Sequence, residues 1–101
     1  MGLNDVRWTR EELIVTLDLY CRTPFGRLHR GNPDVITLAK AIGRTPSAVA
    51  MKLVNFASFD PIQQKRGIKG LSNAAQADKD VWQEFQGDWT SLAIAGAAIK
   101  E

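Results

Sequence analysis

Apolar side chains recur at three- and four-residue steps in four stretches of the chain, and nowhere do they alternate with polar ones in the two-residue rhythm of a strand. The pattern predicts an all-α fold. In the first stretch Leu13, Ile14, Leu17, Tyr20 and Cys21 form one stripe, and Thr9 with Glu12 three residues later makes a capping box, so a helix is expected from Arg10 to about Arg22. Thr23-Pro24 and the punctuated run "RTPFGRLHRGNP" predict a loop. Asn32-Pro33 then starts a second helix, with Val35, Ile36, Leu38, Ala39 and Ile42 before Gly43, a residue suited to the left-handed C-cap.

Thr45-Pro46 repeats the cap-and-proline signal two residues later, so a third helix must leave this corner at a steep angle. Val49, Leu53 and Phe56 are its inward stripe, and Asp60-Pro61 stops it. A possible short turn, "PIQQKRG", leads into the weakly periodic "IKGLSNAAQ". From about Ala77 the helical rhythm returns through Trp82, Phe85, Trp89, Leu92 and Ile99, with Gly96 in the one missing slot and Gly87-Asp88 as a break point. The expected architecture is a tri-helical helix-turn-helix core over residues 1–76. An additional C-terminal helix over 77–101 would pack on the core or link to a further domain.

Charge sharpens this picture. Residues 19–76 hold nine basic side chains against two acidic ones, a net of +7, whereas residues from 77 onward carry −3. A positive region of this size attracts phosphates. With Val49, Leu53 and Phe56 turned inward, the opposite face of the third helix should present Ser47, Ala48, Met51, Lys52 and Asn55. Asn55 suits an adenine edge, Met51 and Ala48 a thymine methyl, and Lys52 a guanine or a phosphate. Arg44 and the helix N-terminus capped by Thr45 would hold a backbone phosphate. Double-stranded DNA is thus the expected partner. Arg27, His29 and Arg30 in the first loop are candidate phosphate or interface contacts, with a plain structural role as the alternative, and Lys65, Arg66 and Lys69 in the later one are candidate backbone contacts, with an ordinary solvated loop as the alternative.

The remaining chemistry is sparse. One His and one Cys build neither a zinc site nor a nuclease constellation, and the acidic residues follow no metal-ligand spacing, so neither catalysis nor a cofactor is expected. A pocket for an extruded or modified base would need an aromatic cage, for which Phe25 and Trp8 are the rings least securely buried by position. The missing leader pattern and the single Cys21 point to the cytoplasm. The 82–99 stripe admits two readings: closure of the domain's own core, or a homodimer seam. A protein-interaction domain and a stand-alone helix-turn-helix regulator are the competing functions.

"WTREEL" followed by "LAKAIGRTPSAVAMKL" is similar in layout to Myb/SANT-like tri-helical domains, although the later tryptophans of a Myb repeat are missing. More specifically, "WTREELIVTLDLYCRTPFGRLHRGNP", "IGRTPSAVAMKLVNFASFDP" and "RGIKGLS" together resemble the N-terminal region of prokaryotic HNH endonucleases related to restriction enzymes, over about residues 7 to 93. The resemblance implies a DNA-reading specificity domain, open to sensing base modification and tethered to a C-terminal histidine-rich nuclease domain that this chain lacks. The residue assignments on the third helix rest on helical geometry and not on the resemblance.

Overall fold

In a computed structural model, residues 7–67 and 75–100 are described, and all regular structure among them is helical. The capping box forms: Thr9 Oγ1 accepts from the Glu12 amide at 3.1 Å, and the Thr9 amide donates to Glu12 Oε1 at 2.9 Å. It opens α1 (Arg10–Arg22), after which a single 3-10 turn (Phe25–Arg27) occupies the first loop. Asn32 caps α2 (Pro33–Ile42), Thr45 caps α3 (Pro46–Phe59), and Asp60 ends α3 and caps the short α4 (Pro61–Lys65). The expected C-terminal helix is two, α5 (Gln76–Phe85) and α6 (Trp89–Lys100), because Gly87 turns the chain at φ 81°.

Periodicity predicts a single stripe on α1, but every residue from Leu13 to Tyr20 is buried. The reason is topological. Helices α3, α5 and α6 pack around α1 from different sides, whereas α2 packs chiefly on α3. Val15, Thr16, Asp18 and Leu19, positions that a two-layer arrangement would leave wet, are therefore enclosed. Thr16 satisfies its hydroxyl on the Glu12 carbonyl at 2.8 Å, and Asp18 meets Arg22 and Lys100, each at 3.3 Å.

One contiguous cluster of buried apolar residues runs from Leu13 on α1 to Leu92 on α6, including Val49, Leu53 and Phe56 of α3 and Trp82 and Phe85 of α5. Most of the 82–99 stripe is thus spent inside the domain, although Trp89 and Ile99 remain partly exposed. Gly96 lies where α6 crosses α1. A Cβ there would stand 3.2 Å from Cβ and Cγ of Asp18, so the slot missing from the stripe is the point of closest approach.

Helices α1 and α3 run side by side in the same sense. Arg44, just before α3, bonds Glu12 near the start of α1, and Asp60, just after α3, accepts from the Tyr20 hydroxyl near the end of α1 at 2.7 Å.

Candidate nucleic-acid interface

The corner between α2 and α3 is built as its residues require. Gly43 takes φ 73°, a left-handed conformation that β-carbon-bearing residues avoid, and its amide closes onto the carbonyls of Ala39 and Lys40. Thr45 Oγ1 accepts from the Ala48 amide at 3.1 Å, and Pro46 occupies the first turn, where no amide donor is needed. Thr45, Ser47 and Met51 are exposed, Met51 by 59%, and Ala48 is half-buried. This half of the expected reading face stands open.

The other half does not. Helical period puts Asn55 on the outer face, but it is only 5% exposed, and its Nδ2 donates to Asp78 Oδ2 at 2.9 Å. Lys52 Nζ donates to both oxygens of the same carboxylate, at 2.9 and 3.0 Å. Helix α5 lies against this side of α3. Asp78, in the first turn of α5, is completely buried and must find a counter-charge and donors there. Lys52 and Asn55, three residues apart and hence neighbours on one helical face, supply them. Asn55 Oδ1 is left buried with no hydrogen-bond partner.

Arg44 is also engaged within the fold. Its Nη2 donates to Glu12 Oε1 at 2.8 Å and to the Arg7 carbonyl at 3.2 Å, and its guanidinium lies 4.8 Å from the centroid of the Trp8 ring. Burial opposes the charge on Glu12, but hydrogen bonds from Arg44 and from the Thr9 amide outweigh it and hold the carboxyl below its usual range. Lys52 Nζ is 5.4 Å from the same indole. Trp8 therefore serves as a platform for two cations, a contact of the cation–π type.

The loop cations gather elsewhere. Arg66 lies over the Phe25 ring at 5.4 Å, joining the end of α4 to the 3-10 turn, and the Asn32 amide fixes the turn by donating to the Arg27 carbonyl at 2.9 Å. Arg27, His29, Arg30, Lys65 and Arg66 are all exposed, with no ion pair among the described residues. Lys69 and most of "RGIKGLS" lie outside the described residues. This cluster is at the C-terminal end of α3, whereas Arg44 and Thr45 stand at its start, about 20 Å away at 1.5 Å per residue. The candidate contacts thus divide into an open α3 face, a pole of loop cations, and a set, Arg44, Lys52 and Asn55, committed to internal contacts.

Phe25 and Trp8 do not form a cage; each ring is stacked by basic side chains in a different part of the molecule. Asp78, which anchors Lys52 and Asn55, gave no local sequence signal, since an acid in a first helical turn reads as an ordinary helix-start residue, and Trp8 stood out only as a ring not securely buried by position, not as a platform for cations. Among the described residues no helix is long and apolar enough to cross a membrane.

The fold and this surface define an all-α domain with an open helix-turn-helix corner. Comparisons with protein-family models, curated proteins and solved structures found no match.

Proposed function

We propose that this domain binds duplex DNA, entering the major groove with the N-terminal half of α3. The observation that carries the reading is the uncovered run of small or flexible side chains at that end. Thr45, Ser47, Ala48 and Met51 follow a glycine corner that turns α3 away from α2, and α5 covers only the side of α3 where Lys52 and Asn55 lie. A helix with short side chains at its start can approach base edges closely. In this reading Arg27, His29, Arg30, Lys65 and Arg66 contact the sugar-phosphate backbone beyond the far end of α3, and Arg44, Lys52 and Asn55 hold the helix in place without reading bases. A role as the specificity domain of a restriction-type HNH endonuclease, in the cytoplasm of a prokaryote, is the biological context that the motifs suggest.

The test is fluorescence anisotropy with a labelled duplex pool over a salt series, in both unmodified and methylated DNA. Binding should weaken with salt, and removing Arg27 and Arg66 together should reduce the slope of log K against log salt by about 0.9 for each phosphate that is no longer neutralised. Met51→Glu should abolish binding while leaving the fold intact. A salt-independent affinity, or full binding by Met51→Glu, refutes the proposal.

A second reading has one specific observation in its favour. Between Trp89 and Ile99 α6 carries no charged residue, and Ile94 on its outer side is 67% exposed. An uncharged exposed helix suits protein interaction or self-association. Sedimentation at micromolar concentration distinguishes the two: a strict monomer removes self-association.

A further inference from the structure

A groove of about 540 Å³ opens between the C-terminal end of α1, α4 and the corner that joins α5 to α6; Tyr20, Asp60, Gln63, Trp82, Gln86 and Trp89 are among its lining residues. This is a different part of the surface from the open half of α3. Its aromatic wall is continuous. The Tyr20 and Trp82 rings meet edge-on with centroids 6.0 Å apart, and Trp82 and Trp89 are 5.4 Å apart at 57°. Trp82 and Tyr20 are buried and form the floor, while Trp89, 40% exposed, raises a ring at the rim.

The charge of this groove runs against that of the surrounding chain. Among the described residues no Lys, Arg or His lines it, although residues 19–76 carry a net charge of +7, and its one carboxylate among them is Asp60. The carboxylate accepts from the Tyr20 hydroxyl at 2.7 Å through Oδ2 and from the Ile62 amide at 2.9 Å through Oδ1. Neither donor is a cation, and Asp60 has no ion pair among the described residues. Burial first, and then the bond to Asp60, push the Tyr20 hydroxyl far above its usual range, which keeps it a donor to that carboxylate. The Cys21 thiol on the same rim is pushed up to about 11 by burial and by Asp18 and Asp60, so it adds no nucleophile at neutral pH.

Such a lining repels phosphates and carboxylates, because aromatic faces and a carboxylate all present negative potential. It favours a cation, and specifically one that gives up water readily, since the indole walls cannot replace the hydrogen bonds of a bare ammonium. We propose that this groove binds a methylated ammonium group, with Trp89 supplying the exposed π face, the buried Trp82 backing it as the floor, and Asp60 the counter-charge. The group can belong to a free quaternary amine or to an N-methylated lysine side chain, and the chemistry of capture is the same.

The experiment uses the three indole N–H signals of the whole chain in ¹H–¹⁵N spectra, with Trp8 as the internal control. Tetramethylammonium chloride, titrated against sodium chloride at equal ionic strength, should shift the Trp82 and Trp89 signals saturably, with a dissociation constant on the order of millimolar for so small a ligand. The Trp8 signal should not move. Asp60→Asn keeps Oδ1 as the acceptor for the Ile62 amide, and its new Nδ2 can donate to the Tyr20 hydroxyl, so it removes charge without removing the cap, and it should weaken binding about fivefold or more. Trp89→Ala should weaken it about tenfold. A peptide with trimethyl-lysine that binds more tightly than tetramethylammonium identifies a side chain as the source, and equal affinity identifies the free amine. The proposal is overturned by the absence of a saturable shift, by an equal shift from the neutral isostere 2,2-dimethylpropanol, by unmethylated lysine peptide binding as well as the methylated one, or by unchanged affinity in Asp60→Asn. DNA binding and this binding use different surfaces, so each can fail alone.

Discussion

Lys52→Met tests whether the cation on α3 belongs to the fold or to a ligand. Asp78 is 0% exposed, and three hydrogen bonds converge on its carboxylate, two from Lys52 and one from Asn55. Methionine keeps most of the apolar stem, so the loss is chiefly electrostatic: the carboxylate is left with the Asn55 amide and the N-terminal dipole of α5. Breaking a buried pair from one side costs about 3–5 kcal/mol. The Lys52 side chain is 14% exposed, and this access to water places the expected loss near 3 kcal/mol, the lower end of that range. For a domain of this size that corresponds to a fall in Tm of roughly 10–20 °C. Thermal and urea unfolding followed by far-ultraviolet circular dichroism measure it. The double variant Lys52→Met with Asp78→Asn carries no orphaned charge, and its new amide can donate to the unpartnered Asn55 Oδ1, so at least half of the loss should return. Under the proposed function, DNA affinity at temperatures where both proteins are folded should keep its salt slope. A loss below about 1 kcal/mol, the behaviour of an exposed pair, would refute the reasoning. So would a double variant no more stable than the single one.

Three further expectations concern other parts of the fold. Glu12 has a folded-state pKa below its ordinary 4.5, so its contribution to stability is fully present above that value and is lost as pH falls through the lower folded value; Glu12→Gln should flatten the acid limb of a stability curve measured from pH 6 to 2. Gly96→Ala should gain about 1 kcal/mol of helix propensity but lose more, for a net loss of roughly 1 kcal/mol, because the new methyl meets the Asp18 Cβ, which is fixed to the α1 backbone; a rise in Tm would contradict this. Cys21 is exposed as a residue, yet the raised pKa of its thiol, about 11, should make alkylation by iodoacetamide at pH 8 far slower than that of a free thiol, with the rate climbing toward pH 11.

The helix starts were legible because each depends on chemistry within four residues: Thr9 with Glu12, Asn32 with Pro33, Thr45 with Pro46 and Gly43 at its corner. The burial of Val49, Leu53 and Phe56 followed from helical period alone. What failed was the inference that the opposite side of α3 is therefore free. Period identifies a buried stripe, but it does not limit a helix to one, and α5 arrives at Lys52 and Asn55 from more than twenty residues downstream. Asp78 gave no warning, since its neighbours Lys79 and Asp80 are exposed and the segment reads as a solvated acidic tail. The same limit explains why period gives α1 a wet side and why Trp82 and Trp89 read as core or as a homodimer seam but not as the wall of a groove. A groove between helix ends depends on how elements meet, and no local pattern encodes it.

The enclosure of α1 has a consequence for biosynthesis. Helix α1 leaves the ribosome long before α6, against which it is seated, so Asp18 meets Lys100 only after 82 further residues have been made. Until then Leu13, Leu17 and their neighbours lack part of their shelter. At typical translation rates that wait lasts several seconds, long enough for a nascent-chain chaperone to occupy the exposed stripe.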